Sequence, residues 1–144
     1  MKYCLIELQG HPGSLQISNA YGCIILCGPI SRSLFAENCS QCTFVVPSQQ
    51  LRLHSSLIFN CRLYIQVTSR AIIEDSCGIL IGDFNYDYET IEEDFKISGL
   101  LKTKNNNKDI ADFNWLSVDI GSPNWKLFDK NNSLFDWFDF TQDV

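Results

Sequence analysis

One arginine on a short predicted strand is the side chain of this sequence that is best placed to act on another molecule. In Gln49-Gln50-Leu51-Arg52-Leu53-His54, a strand directs the two leucines to one face and Gln50, Arg52 and His54 to the other. No carboxylate lies within five residues of Arg52 on either side. An arginine on a rigid strand without a local partner is free to reach into another molecule. An ordinary solvated charge is the alternative interpretation.

The seven cysteines include two pairs, Cys23/Cys27 and Cys39/Cys42, whose spacing superficially resembles a four-cysteine zinc site. If residues 23–27 form a strand, the first two sulfurs start about 13 Å apart at roughly 3.3 Å per residue, which is too far for one zinc ion. The second pair lacks the glycine turn that usually folds such a pair back. An odd number of cysteines in apolar runs instead predicts buried free thiols in a reducing compartment, with the cytoplasm as the default location.

The other polar motifs offer little for catalysis by this chain itself. His11 and His54 belong to no local nucleophile motif, although a Cys-His pair stays open. Adjacent carboxylates such as Glu74 and Asp75 face opposite ways on a strand, which favours a solvated surface. The sequence has no glycine-rich phosphate loop, so we expect no bound nucleotide or other cofactor. Arg52 is the leading candidate, because an arginine supplied in trans stabilises the charge that develops during nucleotide hydrolysis.

Charge and aromatic residues divide the 144-residue chain into two parts. Residues 1–82 carry five Lys/Arg and four Asp/Glu, whereas residues 83–144 carry six and thirteen, together with twelve of the eighteen aromatic residues. This balance provides no basic patch, so we expect neither nucleic acid nor an anionic membrane as a partner. No apolar run is long enough for a membrane span or a signal peptide, and Lys2 excludes myristoylation, so we predict no membrane anchor.

The elements that would position Arg52 are short β-branched runs in residues 1–82. One series comprises residues 23–26, 43–46, 63–67 and 79–81. Its matching positions 24, 44, 64 and 80 are 20, 20 and 16 residues apart. A second series, between the members of the first, comprises residues 33–35, 51–53 and 71–73. Pro12, Pro29 and Pro47 fall where corners are expected.

Short strands at this interval, without helical periodicity between them, predict a solenoid of parallel strands, a β-helix. An antiparallel sandwich also has short strands with regular turns and is the alternative. The absence of Asn-Gly and Asp-Gly hairpin signals favours the β-helix. Residues 1–82 would form its coils, within a single domain that spans residues 1–144.

Residues 83–127 predict a last coil, a short helix and a capping segment whose aromatic residues cover the open end of the solenoid. Thr90-Ile91-Glu92-Glu93 has the form of a capping box, and Gly99 is expected to end the helix. Residues 109–115 predict a helical turn, and residues 122–125 predict a turn that delivers a tryptophan. Residues 128–144 are an acidic, aromatic tail, which fits either an added strand or a segment that binds a partner.

Long ordered stretches of the sequence resemble one known family. The matching stretches are Gly28–Ser31, Asn38–Cys42, Gln49–His54, Leu63–Asp75, Asp112–Leu116 and Ser122–Trp125. From about residue 4 to residue 127 the chain resembles the C-terminal domain of the tubulin-binding cofactor C family. It resembles, more loosely, the retinitis pigmentosa 2 protein and the related domain of cyclase-associated proteins. The resemblance implies an all-β fold, a right-handed and three-sided parallel β-helix.

The resemblance also implies an activity and a set of residues. It implies a GTPase activator that completes the active site of a partner and is not itself an enzyme. The arginine of the Gln-Gln-x-Arg motif is the catalytic finger and falls on Arg52, and the first glutamine, Gln49, supports it. Two further positions that contact the G protein in the retinitis pigmentosa branch fall on Glu74 and Phe113. The alternative interpretations are an ordinary surface glutamate and a capping aromatic residue. With the exposed face of the strand, the expected partner-binding residues are Gln50, His54, Glu74 and Phe113.

The leading hypothesis from this resemblance is stimulation of GTP hydrolysis by β-tubulin. The chain would act with the tubulin-folding cofactors D and E during folding and release of the αβ-tubulin heterodimer, and GTP and magnesium would be bound by the partner. Activation of an Arf-like small GTPase is one alternative. A non-catalytic adaptor that binds a cytoskeletal protein is another. Residues 69–74 and 112–116 favour the tubulin branch.

Overall fold

The computed structural model describes residues 2–54, 61–100, 105–117 and 119–128, and every strand pairing among them is parallel. Its strands are β1 (Leu5–Leu8), β2 (Ser14–Tyr21), β3 (Ile24–Cys27), β4 (Ile30–Ser40), β5 (Thr43–His54), β6 (Arg62–Val67), β7 (Ala71–Glu74), β8 (Ile79–Asp83), β9 (Ile110–Asp112) and β10 (Trp125–Leu127). One helix, α1 (Ile91–Ser98), lies between β8 and β9. Successive coils stack strand on strand, which confirms the predicted parallel β-helix.

Two sheet faces make up most of the solenoid. The covered face consists of β1, β3, the first half of β5, β6, β8 and β10, and the open face consists of β2, β4, the second half of β5, β7 and β9. β5 belongs to both faces, since residues 43–48 pair with β6 and residues 51–54 pair with β7. Pro12, Pro29 and Pro47 all lie where the chain passes from the covered to the open face, as predicted for a corner.

The register of the coils differs from the predicted one. Ile24 pairs with Thr43, Thr43 with Arg62, and Arg62 with Leu80. Equivalent positions 24, 43, 62 and 80 are therefore 19, 19 and 18 residues apart, and the predicted steps of 20, 20 and 16 were wrong. All four residues of β3 are buried. A strand that is apolar on both sides offers no alternation from which its register can be read.

Two corners of the solenoid repeat at the 19-residue interval. Asn19 and Asn38 both adopt left-handed backbone conformations, with φ of 57° and 53°, which asparagine tolerates better than most residues. The side-chain amide of Asn38 donates a hydrogen bond of 2.6 Å to Oδ1 of Asn19. A second left-handed corner is formed by Tyr3, Gly22 and Gln41. These stacked turns set the coil length.

A column of cysteines runs through the interior directly after the second corner. Cys23, Cys42 and Cys61 each precede an aligned strand, 19 residues apart, and are fully buried. Burial raises the pKa of Cys27 to about 12 and that of Cys61 well above its usual range. All seven cysteines lie within the described ranges and are free thiols, as expected. The buried thiols pack as small apolar groups.

Residues 84–100 lie over the outward side of the covered face. There the outward side chains of the sheet form a second apolar cluster with one tyrosine of that segment: Ile24, Leu26, Val45, Tyr64 and Tyr86. Phe84 and Tyr88 pack against this cluster, and the ring of Phe128 stacks on Tyr64 with centroids 4.7 Å apart. The aromatic residues were expected to cover the open end of the solenoid. Trp125 does pack against the main core, but Phe84, Tyr86 and Tyr88 cover a side instead.

The hydroxyl of Tyr88 joins α1 to the first coil. It donates to the carboxylate of the buried Asp94 at 2.7 Å and accepts from the N–H of Gly10 at 3.3 Å. A side chain at Gly28 would collide with both the Gly10 carbonyl and the Tyr88 hydroxyl. Glycine at position 28 therefore lets this contact form.

The helix α1 ends as predicted but begins without the predicted capping box. Gly99 adopts φ of 82°, the left-handed conformation that closes many helices. The Thr90 side chain makes no capping hydrogen bond to the described first turn of the helix. Its backbone, at φ −101° and ψ 13°, is outside the extended region that a capping side chain uses. Among the described residues, no helix is long and apolar enough to cross a membrane.

Residues 109–115 do not form the predicted helical turn. Ile110–Asp112 form β9, because Ile110 pairs with Ala71 and extends the open face by one coil. A turn follows, in which the N–H of Trp115 donates to the carbonyl of Asp112. Pro123 and Asn124 then form the predicted turn before Trp125. The tail prediction concerns residues that, apart from Phe128, lie outside the described ranges.

Candidate functional site

The open face is the part of the solenoid where buried and exposed side chains alternate. In β5, Leu51 and Leu53 are buried, Gln50 and Arg52 are exposed, and His54 is half-buried. This confirms the alternation predicted for the strand. The inward leucines anchor the strand in the core, so the outward side chains project from a rigid support.

Parallel pairing places the outward side chains in rows across the open face. Phe35 of β4 and Ile72 of β7 flank Arg52 in one row. In the next row, Glu37 and Glu74 flank His54.

Two more of the predicted residues lie directly after β9 and at the corner within β5. Phe113 directly follows β9, and its N–H donates to the carbonyl of Ile73 at 3.0 Å. This places it on the coil next to Glu74, and it is 52% exposed. Gln49 is exposed at the corner between the two faces, where its carbonyl accepts from the N–H of Ser69. The structure therefore brings Arg52, His54, Glu74 and Phe113 onto one surface.

Arg52 is exposed but ion-paired. Its Nη2 lies 3.1 Å from Oε2 of Glu74, and the two side chains are 45% and 29% exposed. Arg52 has no partner close in sequence, as the sequence indicated, but Glu74, 22 residues away, becomes its neighbour through the coil. A solvent-exposed pair of this kind contributes about 0–1 kcal/mol. Glu74 thus orients Arg52 without removing it from the surface.

His54 approaches the same carboxylate from the same strand. Its Nε2 lies 3.6 Å from Oε2 of Glu74. Its ring stacks on Phe35 with centroids 6.4 Å apart and an interplanar angle of 24°. Phe35 was not singled out from the sequence. The signal was its position between the inward residues Leu34 and Ala36, which places an aromatic ring on the outward side of β4.

Asp75 lies beside Glu74 rather than opposite it. β7 ends at Glu74, and Asp75 adopts φ of 52°, so the alternation of a strand no longer applies. The prediction that these two carboxylates face opposite ways was wrong for this reason. Asn114 fixes Asp75 from the next coil: its Oδ1 accepts from the Asp75 N–H at 2.7 Å, and its Nδ2 donates to Oδ1 of Asp75 at 2.9 Å.

A second arginine on the open face provides an internal comparison. Nε of Arg70 lies 3.0 Å from Oδ1 of Asp109, and both side chains are more than half exposed, at 57% and 60%. Arg70 precedes β7, whereas Arg52 lies within β5. The two arginines share charge and exposure but differ in how firmly the backbone holds them.

Comparisons with known proteins agree with this architecture. A family model described as tubulin binding cofactor C matches residues 1–113. Tubulin-specific chaperone C of Bos taurus is 44% identical over 137 residues, which cover 95% of this chain and 39% of that protein. Tubulin-folding cofactor C of Arabidopsis thaliana is 35% identical over 131 residues, which cover 91% of this chain and 37% of that protein. The chain spans about two fifths of the length of these relatives.

A solved structure shows the same fold. The structure of Tubulin Binding Cofactor C from Leishmania major matches with a TM-score of 0.72 at 25% identity, covering 88% of this chain and 86% of that one. The match of the family model extends over most of the chain, and the curated relatives exceed 30% identity over nearly all of it. The chain therefore belongs to the tubulin-binding cofactor C family.

Proposed function

We propose that this chain stimulates GTP hydrolysis by tubulin in trans, with Arg52 as the arginine that enters the nucleotide site of the partner. The observation that carries this proposal is the position of Arg52, which is exposed on a strand whose other side is buried in the core. Stabilising the charge of a transition state requires a group that is already in place. An arginine finger of this type contributes roughly 10³–10⁵ in rate. Tubulin is proposed as the partner because the similar proteins are tubulin-specific chaperones and tubulin-binding cofactors.

The ion pair with Glu74 is compatible with this role. In the free protein, Glu74 keeps the guanidinium of Arg52 extended over the open face. The pair is exposed, so its separation costs little. The phosphate oxygens of GTP carry more negative charge than one carboxylate, so transfer of Arg52 from Glu74 to the nucleotide is favourable. Glu74 is then available to contact the partner.

The neighbouring side chains form the rest of the proposed contact surface. Gln50 and His54 project from the same strand as Arg52, and Gln49 lies at its corner. Phe113 adds an exposed aromatic ring on the coil beyond Glu74. GTP and magnesium belong to the partner, and the tubulin-folding cofactors D and E complete the assembly in the cytoplasm. The chain is thus an activator that completes the active site of another protein.

The experiment measures GTP turnover by tubulin in the presence of cofactors D and E and of the full chain. We expect the stimulated rate of GTP hydrolysis to be at least about 10³-fold lower with Arg52→Ala than with the parent. Arg70→Ala is the matched control, because it removes an equally charged and ion-paired arginine from the same face. We expect this control to retain most of the stimulation. Equal rates for the parent and Arg52→Ala would contradict the proposal.

Binding measurements on the same variants separate the remaining alternatives. If Arg52→Ala leaves turnover unchanged while tubulin is still recovered with the chain, the chain is an adaptor rather than an activator. If tubulin does not respond to the parent chain but an Arf-like GTPase does, the partner has been assigned wrongly. A panel of purified GTPases distinguishes these outcomes.

A further inference from the structure

Three side chains with metal-ligating atoms converge beside Arg52 on the open face. One nitrogen or oxygen atom from each of His54, Glu74 and Asp75 lies within 4.8 Å of the other two. An imidazole with two carboxylates is a ligand set that zinc accepts. We propose that His54, Glu74 and Asp75 form a Zn²⁺ site, and that zinc competes with Arg52 for the carboxylate of Glu74.

The spacing of the ligand atoms is close to that of an assembled site. Nε2 of His54 and Oε2 of Glu74 are 3.6 Å apart. With bonds of about 2.0–2.2 Å to a tetrahedral zinc ion, two ligand atoms lie roughly 3.4 Å apart. The Asp75 atom lies within 4.8 Å of both, so side-chain rotations that move it by up to about 1.4 Å would complete the set. Since His54 and Glu74 are 33% and 29% exposed, water can complete the coordination.

Neighbouring residues already orient two of the three ligands. Phe35 stacks on the imidazole of His54, and Asn114 donates to Oδ1 of Asp75. The amide of Asn114 also accepts from the backbone N–H of Asp75. Hydrogen-bonding and packing partners of this kind hold the ligands of established metal sites in position. They are an observation separate from the proximity of the ligands.

Arg52 makes this cluster different from an ordinary group of surface carboxylates. Its Nη2 lies 3.1 Å from the same Glu74 oxygen that His54 approaches. A zinc ion on Glu74 would take that partner from Arg52 and repel its guanidinium. When two cations compete for one carboxylate, each weakens the binding of the other by the same factor. Removal of Arg52 should therefore strengthen zinc binding, an effect not expected of zinc held elsewhere on the surface.

This inference does not depend on the proposed GTPase activation, because zinc binding is measured on the isolated full chain. Zn²⁺ is titrated against a competing chromophoric chelator, and the parent is expected to bind one ion at this site. His54→Ala should weaken binding at least tenfold, and Asn114→Ala by about tenfold. Arg52→Ala should tighten it by about tenfold, since a nearby positive charge is lost. Asp109→Asn removes a carboxylate of the same face outside the cluster and should leave the affinity unchanged.

A direct readout covers the case in which a variant fails to fold. In the parent chain, zinc should shift the NMR signals of the His54 imidazole nitrogens and of the Arg52 side chain together. Mg²⁺ and Ca²⁺ should not do so at the same concentration, because they prefer ligand sets made of oxygen. The proposal is overturned if the His54 signals do not respond, if folded His54→Ala binds zinc like the parent, or if Arg52→Ala binds it no more tightly.

Discussion

The covered and open faces of this solenoid share strand β5 and differ in what lies outside it. Val45, near the start of β5, points outward and is fully buried because residues 84–100 lie over it. Arg52, seven residues later on the same strand, also points outward, and its side chain is 45% exposed. The backbone pairing is parallel in both halves. The difference between the faces is therefore made by the covering segment and not by the sheet.

This difference shows where the molecule can use polar side chains. On the covered face, a charged group would have to leave water, which is costly unless it finds a partner. On the open face, ion pairs such as Arg52–Glu74 and Arg70–Asp109 stay in contact with solvent and contribute little to stability. Polar residues there are free to serve binding. A charged substitution should thus destabilise the covered face far more than the open face.

The largest effect is expected when a charge is placed on each face. Leu26→Lys puts an ammonium under residues 84–100, where Leu26 is 3% exposed, and should destabilise the chain by more than about 4 kcal/mol. Ile72→Lys, on the half-buried outward side of the open face, should cost about 1 kcal/mol or less, because lysine can extend its ammonium into water. Urea unfolding of both variants makes the comparison. Similar midpoints would show that the covering segment does not protect its face.

A smaller effect is expected from the contact that attaches α1. Tyr88→Phe removes a hydrogen bond to the buried Asp94 and should destabilise the chain by about 1–3 kcal/mol. Burial and the Asp94 hydrogen bond raise the pKa of Tyr88 above its usual range of about 10. The stabilising contribution of the neutral phenol is therefore complete below pH ~10 and is lost as the pH rises through the folded-state pKa. In unfolding experiments above pH 10, the parent should lose stability more steeply than Tyr88→Phe, and equal slopes would argue against this role.

The smallest effect on stability is expected at the centre of the open face. Glu74→Gln removes the ion pair with Arg52, but both side chains are partly in water, so the free energy of unfolding should change by less than about 1 kcal/mol. Asp109→Asn removes the exposed ion pair of Asp109 with Arg70, and thermal unfolding should show an equally small loss of stability. A large loss in Glu74→Gln alone would mean that this pair supports the fold rather than a partner.

Much of the fold could be predicted from the sequence, but the coil length could not. The alternation of Leu51 and Leu53 with polar residues correctly assigned their directions, and Gly99 correctly marked the end of α1. The coil length was misjudged because the strands of the covered face are apolar on both sides. The spacing of Cys4, Cys23, Cys42 and Cys61, 19 residues each, contained the correct interval. The spacing of these cysteines was therefore a better guide to the coil length than the spacing of the apolar runs.

The candidate site was predictable only in part. Arg52 and His54 could be assigned to the outward side of one strand because alternation is a local property of β-structure. The contact of Arg52 with Glu74 could not be found this way, since it depends on how many residues the coil between them contains. The approach of Asp75 depends on a left-handed residue after β7 and on Asn114, which is 39 residues further along the chain.

The sequence by itself therefore determined which side chains of β5 point to solvent, because backbone geometry alternates whatever the neighbours are. Only the tertiary structure decided which groups meet them. Coil length placed Glu74 beside Arg52, and the segment over residues such as Val45 left the other half of the same strand without access to solvent. These are properties of segments distant in sequence, and no local pattern reports them. Arg52 is exposed because nothing among the described residues packs over it as residues 84–100 pack over Val45.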